Sequence, residues 1–308
     1  MIEQVKVVSD TNYPLDGIIT LPGSNADKIP AVVFVHGSGP LDKDETIGAT
    51  KLFRDLADGF AQKGIASLRY DKRTFVYGRQ MAEKLAGSLT VEEETIEDAI
   101  AAVRMIKAHK RVDPGRVFIA GHSLGGALAP RIGAEGADPA GYVILAGTMR
   151  ALDDVIMAQN AEALKQLTDD QQAEAMPQIM ALKEKFDAVG SMSEDEAKRT
   201  VINGNIYAWY LKEMKQHPIK EYFLKTNKPV FVLQGDMDAQ VSAEEDFNQY
   251  RQLLEGRPNA LCKLYPGLNH LFMKSICGAM KDIMNEYYIA QTVDNTVLKD
   301  IAEWILSI

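Results

Sequence analysis

Residues 117–126 read VFIAGHSLGG, and this stretch decides the fold of the 308-residue chain. Residues 117–120 are an unbroken apolar run typical of a buried strand, and residues 124–134 are mostly small and favour a helix. Between them lies the spacing G-x-S-x-G, whose glycines fit a strand-to-helix turn too tight for larger side chains. Such a turn strains Ser123 and exposes its hydroxyl at the helix N-terminus, where free N–H groups favour developing negative charge. We therefore predict that Ser123 is a nucleophile.

Strands and helices alternate on both sides of this turn. The predicted strands are residues 5–9, 15–21, 31–35, 65–70, 117–120, 141–146, 229–235 and 261–265. The predicted helices are residues 51–63, 124–134, 242–254 and 294–306, with a further long helix that opens at Thr90. The alternation predicts an α/β protein, with a mostly parallel central sheet of about eight strands flanked by helices.

The alternation stops between residues 150 and 225. This segment is rich in Ala, Glu, Gln, Lys, Leu and Met, contains no convincing β run, and is predicted to form several helices. Because the strand pattern resumes at Pro229, the segment is interpreted as an insertion within one sheet. We predict a core domain of residues 1–149 and 226–308, and a helical cap, or lid, of residues 150–225 inserted after strand six.

Composition and charge exclude several classes of protein. The chain is 46% hydrophobic and 25% charged, which is enough to bury a large core and does not indicate disorder or a membrane class. Its net charge of -9 disfavours nucleic acid as a partner. No stretch approaches the length of a membrane span, and the N-terminal MIEQVKVVSD lacks a signal-peptide pattern, so we expect a cytoplasmic protein.

The two cysteines, Cys262 and Cys277, do not indicate a metal site or a disulfide framework. They are too few for such a framework and show neither C-x-x-C nor zinc-finger spacing. We expect two free thiols, no metal and no cofactor.

The base that would activate Ser123 is sought among the five histidines. Four are disfavoured. His36 precedes the serine and His109 ends a helix. His217 belongs to the insertion, and His122 lies in the turn with its side chain directed away from the serine. His270 instead follows the last strand, after a Pro-Gly pair that opens a loop at the sheet edge to which the serine also points. We predict that His270 is the base.

An acid is expected in the loop after the preceding strand, where residues 234–241 read QGDMDAQV. Its role is to accept the second imidazole N–H and to stabilise the imidazolium. Asp236 lies close to the strand end and could instead bond loop amides, whereas Asp238 reaches further over the edge. Spacing favours Asp238 as the acid, but Asp236 stays a candidate.

The negative charge of a tetrahedral intermediate requires backbone N–H donors. One donor is expected from Leu124, the residue after the nucleophile. The other is expected from the loop that follows residues 31–35 and reads HGSGP, where glycines on both sides allow the N–H of Ser38 to point inward.

Together, the motifs HGSGP, LRYDKR, GHSLGG, GDMDAQV and GLNH resemble the α/β-hydrolase superfamily, and the resemblance covers nearly the whole chain. Within it, they look like bacterial carboxylesterases of the cinnamoyl- or feruloyl-esterase-like kind, related to prolyl oligopeptidase. The family pattern G-x-x-D-x-x-V lands on Asp238, and the family's oxyanion loop matches Ser38. The resemblance implies hydrolysis of small or aromatic acyl esters through an acyl-enzyme intermediate.

Three alternatives to ester hydrolysis stay open. The same residues could cleave acyl-peptides or other amides, or thioesters, and a hydrolase-like binding protein is the non-enzyme alternative. The expected partner is a small-molecule ester, with no nucleic acid and no membrane, and the sequence leaves room for a homodimer.

Two further groups of residues have open roles. His122, Tyr207 and Trp209 are candidates for substrate binding, although an aromatic stripe at helical spacing in the cap is also compatible with packing. The charged run at residues 69–73 ends a strand near the site. It could position substrate or a loop, or could form an ion-paired network that supports the loop.

Overall fold

An eight-stranded sheet is the centre of the computed structural model, which describes residues 1–11, 13–24, 26–204, 206–276 and 282–308. Its strands are β1 Ile2–Val7, β2 Leu15–Thr20, β3 Ile29–Val35, β4 Ala66–Tyr70, β5 Val112–His122, β6 Tyr142–Leu145, β7 Val230–Gly235 and β8 Ala260–Tyr265. They lie in the order β1-β2-β4-β3-β5-β6-β7-β8. Strand β2 is antiparallel to β1 and β4, and every pair from β4 to β8 is parallel. The carboxyl ends of the central strands therefore meet at one edge of the sheet.

Helices cover both faces of this sheet, so its central strands are buried on both sides. The helices of the core are α1 Leu52–Gln62, α2 Arg73–Leu85, α3 Glu97–Lys107, α4 Leu124–Ile132, α10 Asn248–Leu254, α11 Ile283–Tyr287 and α12 Asn295–Ser307. One apolar layer joins the sheet to α3 and α4 through residues such as Val103 and Leu128. The other joins it to α1 and α12 through Phe53 and Ile305.

Residues 150–225 contain α5 Leu152–Leu164, α6 Asp169–Ala188, α7 Glu194–Ala197, α8 Ala208–Gln216 and α9 Ile219–Lys225. They also contain a short antiparallel pair, Val201–Asn203 with Ile206–Tyr207, which the sequence did not predict. Much of the segment packs around its own apolar cluster, which includes Phe186 and Leu211. Helix α9 instead packs into the main core through Phe223.

Other differences from the sequence-based expectations lie between strands. Helix α2 was not predicted, and α11 occupies part of the long loop after His270. Cys262 is a free, half-buried thiol, and burial raises its pKa to about 11. Cys277 lies outside the described residues.

Candidate active site

The turn between β5 and α4 holds Ser123 in a strained backbone conformation. Its φ of 52° and ψ of -117° lie in a region that residues with a Cβ rarely adopt. A Cβ on Gly121 would lie 2.2 Å from the Gly125 carbonyl oxygen, and one on Gly125 would lie 2.2 Å from that of Val35. The backbone can pass so closely only because both positions are glycine. The Ser123 N–H donates to the Leu145 carbonyl at 2.8 Å, which fixes the turn to β6.

His270 and Asp238 meet at the carboxyl edge of the sheet. The distance from His270 Nδ1 to Asp238 Oδ2 is 2.6 Å, and both side chains are buried. The carboxylate is held by the N–H groups of Gln240 and Val241, which donate to its Oδ1, and by Gln234 Nε2, which donates to Oδ2. The carboxylate is thus held in a fixed position against the imidazole.

Asp236 has a different partner. Its Oδ1 accepts the Gly267 N–H at 2.6 Å, so it joins the loop after β7 to the loop after β8. This loop-bonding arrangement is the alternative that the sequence left open for Asp236.

Ser123 and His270 line one cavity of about 780 Å³. Among the described residues, no hydrogen bond joins the Ser123 hydroxyl to the His270 ring. Hydrogen bonds between a nucleophile and its base are often long in unliganded sites and tighten when substrate binds. Gly37, Ser38 and Leu124 line the same cavity, so the predicted oxyanion donors and the predicted nucleophile face one space.

The loop after β3 lies directly against the nucleophile. A Cβ on Gly37 would lie 3.3 Å from the Ser123 Cβ. The Gly37 N–H donates to Glu45 Oε1 at 2.9 Å, and the Gly37 carbonyl accepts from Lys72 Nζ at 2.8 Å. At the opposite side of the serine, Leu124 begins α4, and the first N–H groups of a helix have no intrahelical acceptor.

His122 joins three segments of the site. Its Nδ1 lies 3.1 Å from Glu45 Oε1, and its Nε2 lies 3.1 Å from the His270 carbonyl oxygen. Burial alone would lower the pKa of His122, but the Glu45 carboxylate, the His270 carbonyl and Asp238 together raise it. Burial likewise opposes ionisation of Glu45, but His122, with smaller contributions from His36 and the Gly37 N–H, lowers the Glu45 pKa overall. The two form a buried ion pair in which both ring nitrogens are engaged, so neither is free to bond a substrate.

The two aromatic residues proposed from the predicted cap, Tyr207 and Trp209, differ in position. Tyr207 lines the cavity. Trp209 is not among the lining residues, and its ring lies against Lys198, whose Nζ is 4.8 Å from the ring centroid. The structure therefore brings Tyr207 to the site but not Trp209.

The walls of the cavity are largely apolar, and their charged groups are paired. Glu45 pairs with His122, and Arg150 pairs with the buried Asp246 through its Nη2 at 2.6 Å. Glu94 pairs with Lys72 at 2.6 Å. The apolar lining includes Ile47, Met81, Leu89, Leu152, Val155, Ile156, Met214 and Ile219.

The His, Cys, Asp and Glu side chains of the described residues include no group of three or more that could hold a metal ion. None of the helices in this part of the chain has both the length and the apolar character needed to cross a membrane.

Comparison with known proteins settles the family. A family model described as serine aminopeptidase, S33, matches residues 27–275. This chain belongs to that family. Among curated proteins, esterase EstD of Thermotoga maritima is 37% identical to this S33 member over 293 residues, which are 95% of this chain. The chain spans 65% of the length of that relative.

Solved structures share the fold of this S33 member. Est1E from Butyrivibrio proteoclasticus superposes with a TM-score of 0.59 at 15% identity, covering 99% of this chain and 98% of its own. An esterase of Pyrococcus furiosus superposes with a TM-score of 0.57 at 16% identity, and the match covers 100% of this chain and 91% of the esterase. The predicted α/β-hydrolase fold and its sheet of eight strands are confirmed.

Proposed function

We propose that this S33 member is a serine carboxylesterase in which Ser123, His270 and Asp238 form the catalytic triad. The observation that carries the proposal is the 2.6 Å contact between Asp238 and His270, whose side chain lines the same cavity as Ser123. A strained serine at a helix N-terminus, an oriented imidazole and nearby backbone N–H groups are the parts that acyl transfer requires. The 37% identity to esterase EstD supports ester cleavage in particular.

The reaction proceeds in two steps. His270 Nε2 takes the proton of the Ser123 hydroxyl while its oxygen attacks the ester carbonyl carbon, and Asp238 stabilises the imidazolium. The N–H groups of Ser38 and Leu124 hold the oxyanion until the bond to the alcohol breaks and His270 returns the proton to that alcohol. Water, deprotonated by the same histidine, then attacks the acyl-enzyme, releases the acid and restores the serine.

The cavity supports an uncharged ester as substrate. Among the described residues that line it, the carboxylates and the guanidinium are matched by His122, Lys72 and Asp246, and this pairing disfavours an ionic substrate. A volume of about 780 Å³ is within the usual range for small-molecule sites and holds an aromatic acyl group. Ferulic acid is bound in a solved structure of Est1E, which shares this fold. We therefore propose small or aromatic acyl esters as the substrate class, with Tyr207 and the cap forming part of the pocket.

Cleavage of peptides at their N-terminus is the second candidate, because the family model is described as serine aminopeptidase. Recognition of a free N-terminal ammonium would call for a carboxylate whose charge is not already neutralised. The two glutamates that line the cavity, Glu45 and Glu94, are each paired with a buried cation. The charge arrangement therefore favours esters over aminopeptidase substrates.

The test is a comparison of substrates on the purified protein. We expect hydrolysis of p-nitrophenyl esters of acetate to decanoate and of methyl ferulate, and little or no hydrolysis of aminoacyl p-nitroanilides. A fluorophosphonate probe should label Ser123 stoichiometrically, and Ser123→Ala should abolish both labelling and hydrolysis. The esterase proposal is wrong if Ser123→Ala hydrolyses every ester as fast as the wild type, or if anilides are the better substrates.

A further inference from the structure

Lys72 is a buried cation that touches the oxyanion loop. Only 2% of its surface is exposed. Its ammonium donates to the Gly37 carbonyl at 2.8 Å and lies 2.6 Å from Glu94 Oε1. The other charged residues of the 69–73 run have partners elsewhere: Arg69 pairs with Asp44, Asp71 with Lys43, and Arg73 with Asp98.

The Lys72 contact fixes the direction of a catalytic N–H. The Gly37 carbonyl and the Ser38 N–H belong to one trans peptide plane, so they point in opposite directions. When the carbonyl is held by Lys72, the Ser38 N–H must face away from the ammonium. The Gly37 N–H, in the preceding peptide, is held by Glu45. Gly37 has no side chain to restrain its backbone. The contacts of Glu45 with its N–H and of Lys72 with its carbonyl therefore restrain the backbone instead.

The same lysine is connected to the cap. Glu94 Oε2 accepts a hydrogen bond from the hydroxyl of Tyr210 in α8 at 2.6 Å. A continuous series of contacts thus runs from Tyr210 through Glu94 and Lys72 to Gly37. All three side chains are buried or nearly so, so water competes little for these bonds.

We propose that Lys72 is a positioning residue for the oxyanion hole, and that Glu94 and Tyr210 couple its position to the cap. The inference rests on the proposed esterase function. A buried ion pair is weak evidence for stability, because apolar residues of similar size often stabilise a fold equally well. The contact of the ammonium with a carbonyl next to the nucleophile gives this pair a role that an apolar substitute could not fill.

Lys72→Met tests the proposal, since it keeps the aliphatic stem and removes the ammonium. We expect kcat for a p-nitrophenyl ester to fall by about 10- to 100-fold, below the 10²–10³-fold loss typical of deleting an oxyanion donor outright, while KM changes less than about threefold. The Ki of a trifluoromethyl ketone should rise in the same proportion, because its tetrahedral adduct uses the same donors. If Lys72 had a purely structural role, the fall in kcat and the rise in this Ki would not be proportional.

Lys107→Met is the matched control. Lys107 Nζ also donates to backbone carbonyls, those of Ala137 at 3.0 Å and Asp138 at 2.5 Å, but these residues do not line the cavity. Its kcat and Ki should equal those of the wild type. Glu94→Gln and Tyr210→Phe keep Lys72 and weaken its anchorage, so we expect graded losses in kcat of about 3- to 10-fold and about 2- to 5-fold.

The outcomes separate this inference from the esterase proposal. A folded Lys72→Met protein with wild-type kcat and Ki overturns the role of Lys72. If that variant does not fold, a Glu94→Gln protein with wild-type kcat overturns it instead. The rate at which a fluorophosphonate labels Ser123 reports on the same donors without ester turnover. A wild type that is labelled but hydrolyses no ester would therefore contradict only the esterase proposal, and the labelling rates of the variants would still decide the role of Lys72.

Discussion

Two aspartates only one residue apart, Asp236 and Asp238, have different partners. Asp238 lies against the His270 ring, whereas Asp236 accepts a backbone N–H from Gly267. An amide at position 236 can still accept that N–H through its own oxygen. An amide at position 238 cannot serve both the imidazole and the donors around it without presenting an NH₂ group to one of them. This difference makes the pair a natural internal control.

Asp238→Asn should lower kcat for ester hydrolysis by about 10³- to 10⁴-fold with little change in KM, because the imidazole loses its correct tautomer and the stabilisation of its charged form. Asp236→Asn should stay within about threefold of the wild type. Steady-state kinetics on one p-nitrophenyl ester compares the two. Equal losses in both variants would contradict the assignment of the acid.

The residues that chain order and motif spacing could predict are those next to strand ends. Ser123 and His270 each come shortly after the carboxyl end of a predicted strand, so their common edge could be inferred from the pattern. Lys72 and Glu45 could not be assigned, because their roles depend on contacts with Gly37 over 35 and 8 residues of chain. The sequence shows the charged run at residues 69–73, which contains Lys72. The partner of each residue in the run depends on tertiary packing, which no local sequence pattern encodes.

At the scale of elements, the turn into α4 depends on how closely the helix approaches β3. Gly125→Ala would place a Cβ 2.2 Å from the Val35 carbonyl oxygen and 2.6 Å from that of His36. Both neighbours are backbone atoms, one in the last residue of β3 and one directly after it, so they cannot easily move aside. We expect a loss of more than about 3 kcal/mol in the free energy of unfolding, measured with urea.

Gly78→Ala is the contrasting substitution. A Cβ there meets nothing within 4 Å, and the residue lies inside helix α2. Alanine should stabilise the helix by about 0.5–1 kcal/mol. If both alanine variants lost stability equally, the close approach at Gly125 would not be the cause.

The predicted cap begins at Arg150, which is bound to Asp246 in the segment just before α10. Its Nε and Nη2 donate to the two oxygens of the buried Asp246 at 2.7 and 2.6 Å. Arg150→Met would leave that carboxylate with only neutral donors. We expect a loss of about 1–3 kcal/mol in unfolding free energy and faster limited proteolysis between residues 150 and 225. Arg79→Met, at an exposed pair with Glu83, should change stability by less than about 0.5 kcal/mol. Equal proteolysis rates in the two variants would contradict the anchoring role.

The elements that the sequence did not predict lack a strong apolar signal. Helix α2 buries only Arg73 and Met81, so it shows no continuous apolar stripe. The short pair at Val201–Asn203 and Ile206–Tyr207 has too few residues for an alternating pattern to emerge. The central strands, in contrast, are continuous apolar runs because both faces are covered, and this made them easy to recognise.

For the molecule as a whole, the buried His36 links folding to pH. Burial lowers its pKa from 6.5 to about 4. Between these values the unfolded chain binds a proton that the folded protein does not, so stability decreases as the pH falls from about 6.5 to about 4. The loss attributable to His36 is on the order of 3 kcal/mol.

His36→Gln removes this titration while keeping a donor for the Asp42 carbonyl that His36 Nε2 contacts at 2.9 Å. Urea unfolding from pH 7 to pH 4 should show a shallower decline for the variant than for the wild type. Other groups titrate in both proteins, so the difference between the two curves isolates His36. Parallel curves would show that this histidine does not link folding to pH.

Because β3 to β8 run in one direction, the loops at the opposite ends of these strands are remote from Ser123 and His270. At that end of the sheet, Gly115 lies in the exposed first part of β5. Gly256 lies in the loop before β8, and a Cβ added to Gly256 would meet no atom within 4 Å. Immobilisation on a solid support through such a loop would keep the carboxyl edge of the sheet, where Ser123 and His270 lie, turned toward the solution. Attachment at that edge would instead press it against the support and hinder the entry of reactants.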